Sequence, residues 1–299
     1  MNDIAEGEFY NAAALYSPSV EMKNRITRAR DTIMRKLCPS APTSGELIFT
    51  SGATESNNTV IFGKAAREGH LLLLEGEHSS AVAPVKQLAD NGFAVDIIPL
   101  QRNGMADVNA LKTFVRPTTN LVVFGLVNSD TGAIHDARGI VSAVRAVAPR
   151  AHIHCDATQA FCKLPFCAAA LDVDSIAISA HKIHGPKGIG ALWLKKSGSV
   201  RPLLYGGGQQ NLRPGTENTP AVLGFAVAVA NWDTDKNFAH VSELHQRLIN
   251  GLPAGVTVNG INNNPYITNL QLDGHMGQTV MNALDAAGKI GRASCRERV

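Results

Sequence analysis

The chain has 299 residues, 44% hydrophobic and 18% charged, with a net charge of +3. That length suits one large domain plus a smaller one. So small a net charge gives no case for nucleic-acid binding, and no apolar run approaches the ~20 residues of a membrane span.

The first segment, MNDIAEGEFYN, is acidic and lacks an apolar centre, which does not fit a secretory signal. Pro18 suits a first helical turn, and Ile26, Ala29, Ile33 and Leu37 share one helical face up to about Cys38. ELIFT, residues 46–50, reads as a strand, followed by a small-residue turn and a helix to about Gly69. HLLLLE (70–75) predicts a strand ending in Glu77-His78-Ser79-Ser80. A helix over about 80–91, a strand AVDIIPL and a short helix over 107–115 come next. NLVVFGLV (120–127) is a buried strand ending in Asn128-Ser129-Asp130-Thr131-Gly132, and Ile140, Val144, Val147 and Ala148 mark the following helix. The run IHCDATQA then predicts a strand, Asp156 at its end and a helix; DSIAIS predicts a second strand ending in Ser179-Ala180-His181-Lys182. IGALWL, a helix over about 220–232, a polar break at 233–237, a helix to about Asn250 and strands near Val256 and Ile267–Leu272 complete the pass. Short apolar strands alternating with amphipathic helices predict an α/β fold with a mostly parallel sheet covered on both faces. The expected division is a large domain over 1–236 and a partial smaller α+β domain over 237–288. The five cysteines are odd in number and scattered, which fits a reducing cytoplasm rather than a disulfide scaffold. Cys155, Cys162 and Cys167 do not have metal-ligand spacing, so no metal site is expected.

Three strand ends carry chemistry. Lys182 follows a buried strand, where desolvation makes an amine nucleophilic toward a carbonyl. Asp156 stands at a strand's carboxyl edge, where open α/β sheets bind ligands; a carboxylate there pairs with a protonated pyridine nitrogen. The turn Thr50-Ser51-Gly52-Ala53-Thr54 opens a helix whose free N–H groups suit a phosphate. Amine, acid and phosphate cradle together describe a site for pyridoxal 5′-phosphate (PLP). A nucleotide-binding domain is the weaker reading, since no G-x-G-x-x-G or P-loop pattern occurs.

TSGATESNN, NSDTGA, DATQA, SAHKIHGPKGIGALW and GGGQQNLRPGTEN resemble, in this order, the motifs of the cysteine desulfurases, a group of class V aminotransferases within the fold-type I PLP enzymes. The resemblance implies conversion of L-cysteine to L-alanine, with sulfur passed to an enzyme cysteine as a persulfide and then to an acceptor protein in iron–sulfur cluster or tRNA thiolation pathways. It implies Lys182 as the Schiff-base lysine and His78 as the histidine on the ring face and a possible proton relay. Ala53, Thr54, Ser179 and His181 would serve the phosphate. Asp156 would serve the ring nitrogen, and Gln159 and Asn128 the ring oxygen; Asn128 and Arg213 are further candidates for the substrate. Thr216 would reach the phosphate of a neighbouring subunit, which implies a homodimer.

Two departures qualify this. The start lacks the expected extended strand and its turn. After Ala283-Leu284-Asp285-Ala286-Ala287-Gly288, residues 289–299 are basic and aperiodic and resemble a translated sequencing adapter. Cys295 falls near the position of the family's nucleophile but without its glycine-serine-alanine context, so it is not expected to be that nucleophile. The expectation is a fragment truncated at both ends. An aminotransferase, selenocysteine lyase or kynureninase of the same branch would share the cofactor half, and a silent sulfur-transfer scaffold would share the fold while needing none of Lys182, Asp156, Gln159 or His78.

Overall fold

A computed structural model of the chain describes residues 10–40, 45–195, 200–260 and 264–293. In chain order the elements are α1 (Ser17–Leu37), β1 (Gly45–Thr50), α2 (Ala53–Lys64), β2 (His70–Leu74), α3 (Ser79–Asp90), β3 (Ala94–Ile98), α4 (Val108–Phe114), β4 (Thr119–Gly125), α5 (Ala137–Val147), β5 (His152–Asp156), α6 (Ala168–Leu171), β6 (Ser175–Ser179), β7 (Gly190–Lys195), α7 (Thr219–Ala230), α8 (Thr234–Asn250), β8 (Val256–Asn259), β9 (Asn269–Leu272) and α9 (Gly277–Ala286).

One sheet of seven strands, ordered β1-β7-β6-β5-β4-β2-β3, carries the fold. Strands β6, β5, β4, β2 and β3 run parallel, whereas β7 is antiparallel to both its neighbours, β1 and β6. The central strands are mostly apolar because both faces are covered. Leu72, Leu74, Val122, Phe124, Ile153, Ile176 and Trp193 point into one core beneath α1, α5 and α7. The alternate residues Leu71, Leu73, Leu121, Val123 and Leu192 join α2 and α3 on the other face. Each such side chain, fully buried, contributes about 1.5–3 kcal/mol relative to exposure. Helix α3 contains Pro84, which has no N–H to give to the Ser80 carbonyl. The Asn58 Nδ2 amide donates to that carbonyl instead, at 3.3 Å.

Two sequence expectations are corrected. The helix after β1 ends at Lys64, not Gly69, because Ala65 turns extended (ψ 133°). DATQA does not open an α-helix: one helical turn closes from Phe161 N–H to Ala157 O at 2.8 Å, then Cys162 adopts a left-handed φ of 64° and ends it. The pair β8–β9 forms a separate antiparallel two-stranded sheet, and α8 and α9 bury no residue fully.

Candidate active site

All parallel strands present their carboxyl ends on one edge, and there a cavity of about 430 Å³ opens. Its wall takes Ser51, Gly52, Ala53 and Thr54 after β1, Glu77 and His78 after β2, Asp156 and Gln159 after β5, and Ser179, His181 and Lys182 after β6. Eight sequence candidates therefore meet there: Ala53, Thr54, His78, Asp156, Gln159, Ser179, His181 and Lys182.

The start of α2 leaves its first N–H groups without a side-chain cap, an arrangement suited to an anion. Gly52 is its N-cap and offers no side-chain acceptor to the first N–H groups. The turn is packed from behind, since a Cβ added at Gly190 would lie 2.6 Å from Ile178 O and 2.7 Å from Gly52 Cα. Glu55 accepts from Ser51 N–H at 2.7 Å and from Arg213 Nε at 3.0 Å, which ties the turn to the RPGT segment. Burial, the largest single influence, pushes the Glu55 carboxyl up, but the hydrogen bonds from Arg213 and Ser51 and the Arg213 charge together hold it below its ordinary value.

Asp156 is held as an acceptor. Its Oδ1 accepts from Thr158 N–H at 2.9 Å and its Oδ2 from Asn57 Nδ2 at 2.8 Å. Lys182 sits in the short 3₁₀ turn Ala180–Ile183 directly after β6. Ser179 Oγ and His181 Nδ1 are 2.8 Å apart. Burial, then the nearby Lys182, Lys163 and Lys187 ammonium groups, push the His181 imidazole below its ordinary value. Gln159 Oε1 accepts from Lys163 Nζ at 2.9 Å, which leaves its amide nitrogen as the donor for a ligand. An acidic carboxylate, a lysine, an uncapped helix start and an amide donor around one cavity fit a PLP molecule.

Other candidates lie elsewhere. Asn128 is buried outside the cavity wall; its Oδ1 accepts from the N–H groups of Asp130 and Thr131, and its Nδ2 donates to Gly76 O at 3.1 Å. It shapes the loop behind the site. Arg213 pairs with Glu55, and neither it nor Thr216 lines the cavity. Cys295 lies outside the described residues. Arg292, in the segment read as a foreign tail, lines the cavity and pairs with Asp130 at 3.1 Å.

Sequence reasoning missed Glu77, Asn57 and Lys163. Glu77 is 5% exposed, lines the cavity and accepts from Gly125 N–H at 2.7 Å. Its place directly before His78 at a strand end was the available signal. Lys163 is buried, and its amine is depressed to about 8 by burial and then by Lys182.

The aminotransferase class-V family matches residues 6–294. A cysteine desulfurase (IscS) of Rickettsia typhi is 35% identical over 280 residues, 88% of this chain and 67% of its own length. A solved NifS-like protein superposes with a TM-score of 0.88 at 28% identity, covering 97% of this chain and 81% of that one. A structure described as SspA in complex with cysteine gives 0.82 at 27% identity, covering 95% and 81%. The neighbours share the fold-type I architecture found above. With its lysine, aspartate and the glycine turn before α2 converging at one sheet edge, the chain belongs to the aminotransferase class-V family, alongside the cysteine desulfurases.

Proposed function

We propose that this chain carries the cofactor and substrate half-site of a PLP-dependent cysteine desulfurase. The observation that carries the reading is the convergence of Lys182, Asp156 and the uncapped start of α2 on one cavity. PLP, when bound, supplies an electron sink for the carbanion at the substrate α-carbon. Ala53, Thr54, Ser179 and His181 would hold its phosphate, Asp156 its pyridinium nitrogen and Gln159 its ring oxygen. The Thr158 N–H and the Asn57 amide, donating to its two oxygens, hold the Asp156 carboxyl in place for that contact. Lys182 would anchor the cofactor and move the α-proton of the substrate, and His78 would lie over the ring.

The overall change is L-cysteine to L-alanine, with the sulfur passed to a protein cysteine as a persulfide and on to an acceptor protein, serving iron–sulfur cluster or tRNA thiolation chemistry. The same reading includes a homodimer in which Thr216 reaches the neighbouring site, a cytoplasmic location, and a division at residues 236 and 237; Asn128 and Arg213, which line no part of the cavity, support its loops rather than touch the substrate. Among the described residues no helix is long and apolar enough to cross a membrane.

The test is a visible spectrum of the purified chain with added PLP, wild type beside Lys182→Ala. A new band in the wild type, absent in the variant and shifted by L-cysteine, supports the cofactor, the lysine and the substrate together. Two folded proteins that both stay colourless would overturn the reading.

A further inference from the structure

A chain of buried hydrogen bonds runs behind the cavity and ends on two of its walls. His152 Nε2 lies 2.8 Å from Ser175 Oγ, and Ser175 Oγ lies 2.7 Å from His154 Nδ1. His154 Nε2 lies 2.9 Å from Asn57 Oδ1. The Asn57 amide nitrogen then divides, reaching Asp156 Oδ2 at 2.8 Å and Ser80 Oγ at 2.8 Å. Ser80 Oγ stands 2.8 Å from His78 Nδ1, which also accepts Ser80 N–H at 3.1 Å as the cap of α3.

Donor and acceptor counting orients every link. The Asn57 amide nitrogen only donates, and it faces Asp156 Oδ2 and Ser80 Oγ. Its two hydrogens are spent on Asp156 and Ser80, so its oxygen accepts and His154 carries its proton on Nε2. His154 Nδ1 is then bare and takes the Ser175 hydroxyl proton, and Ser175 accepts from His152 Nε2–H. At the other end Ser80 has accepted from Asn57, so its hydroxyl proton goes to His78 Nδ1. The proton of a neutral His78 is thereby left on Nε2, the nitrogen not turned toward α3. Asn57, Ser175 and His154 are all fully buried, and burial pushes the His154 imidazole down to about 4 and His152 well below its ordinary value, so both stay neutral and the polarity of the chain is fixed.

We propose that Asn57 is a positioning residue that clamps the Asp156 carboxylate and, through Ser80, the His78 ring, with its own carboxamide orientation set by the buried His154. This inference rests on the PLP reading above. It assigns to three side chains outside the motif roles, Asn57, Ser80 and His154, the task of holding the Asp156 carboxyl in place and the cavity histidine in its Nε2–H form.

The experiment is histidine ¹⁵N spectroscopy of the cofactor-free chain, with signals assigned by single His→Gln substitutions, plus PLP affinity from the quenching of tryptophan fluorescence. In the wild type His154 and His78 are each expected with the proton on Nε2 and a bare Nδ1. A proton on Nδ1 of either overturns the assignment. Asn57→Leu removes every polar link at nearly constant size. It is expected to leave His154 in a tautomer mixture and to weaken PLP binding about 10- to 100-fold, the range seen when outer partners of metal ligands are removed. Unchanged affinity in a folded Asn57→Leu chain overturns the positioning role. Should that variant lack a cooperative unfolding transition, Ser80→Ala cuts only the branch to His78. It should move the His78 Nδ1 signal and leave His154 as it was, and an unmoved His78 signal overturns the link. A wild type that binds no PLP defeats the proposed function alone, because the tautomers of the cofactor-free chain still decide this inference.

Discussion

Gly190→Ala should damage the phosphate turn from behind. Gly190 begins β7 and lies in both ladders, opposite Thr50 of β1 and Ser179 of β6. An alanine Cβ there would sit 2.6 Å from Ile178 O, 2.7 Å from Gly52 Cα and 2.8 Å from Gly52 C. All three are backbone atoms, and ordinary van der Waals contact begins about 0.8 Å further out, so no flexible side chain can yield. Overpacking of this kind costs about 1–3 kcal/mol. With an unfolding entropy of about 2.1 cal/mol/K per residue, a chain of 299 residues loses about 2–5 °C in Tm. Strand β7 is pinned on both sides, so the displacement falls on Gly52 and carries the start of α2 with it. Gly92→Ala is the matched control: its φ of +82° strains an alanine, but a Cβ there meets nothing within 4 Å and Gly92 does not line the cavity. That strain costs about 1–2 kcal/mol. Thermal unfolding of the cofactor-free proteins should therefore show comparable losses, while a PLP titration should show weakened binding for Gly190→Ala alone. Wild-type affinity in Gly190→Ala, or an equal loss in both variants, would refute the argument that this glycine shapes the cradle.

Two buried titratable groups give further tests. His135 is 3% exposed, accepts Ala106 N–H on Nδ1 at 3.1 Å, and burial depresses it from 6.5 to about 4. Below its unfolded value the unfolded chain binds a proton that the folded chain refuses. Stability should therefore fall as pH drops from about 6.5 toward 4, by about 3 kcal/mol at most from this group. Urea unfolding of His135→Phe should show a pH slope about one proton shallower there, and an unchanged slope would count against the buried neutral histidine. Lys163 is depressed from 10.5 to about 8 by burial and then by Lys182. The unfolded chain binds the extra proton between those values, so the burden is full at neutral pH and lifts as pH rises from about 8 to 10.5. Lys163→Met should gain about 1–3 kcal/mol at pH 7 after losing the Gln159 bond, and it should flatten the alkaline rise in stability. A net loss at pH 7 would mean that the Gln159 and Tyr266 contacts outweigh the desolvation of the amine.

Much of the site was legible because its chemistry sits at strand ends, and strand ends are marked locally. DSIAIS stops at Ser179-Ala180-His181-Lys182, IHC stops at Asp156, and ELIFT stops at the Ser51-Gly52 turn. The alternation of strand and helix then requires a parallel sheet, which brings those ends to one edge. Locality also limited the reading. DATQA has the composition of a helix start, yet the left-handed Cys162 that ends its single turn has no glycine to announce it. The place of β7 between β1 and β6 is a long-range choice that no local pattern encodes.

The sequence by itself determined which residues are candidates for the chemistry and that they share a sheet edge, because side-chain type and hydrophobic period are local properties. Only the tertiary structure decided how they are held. Asn57 is 99 positions from Asp156 and 97 from His154. In the chain it reads as an ordinary polar residue of a helix, and His154 as one polar break in an apolar strand. Their meaning arises where α2 crosses the end of β5. In that low-dielectric interior an unpaired polar group is costly, so each donor must find its acceptor and the directions of the hydrogen bonds become fixed.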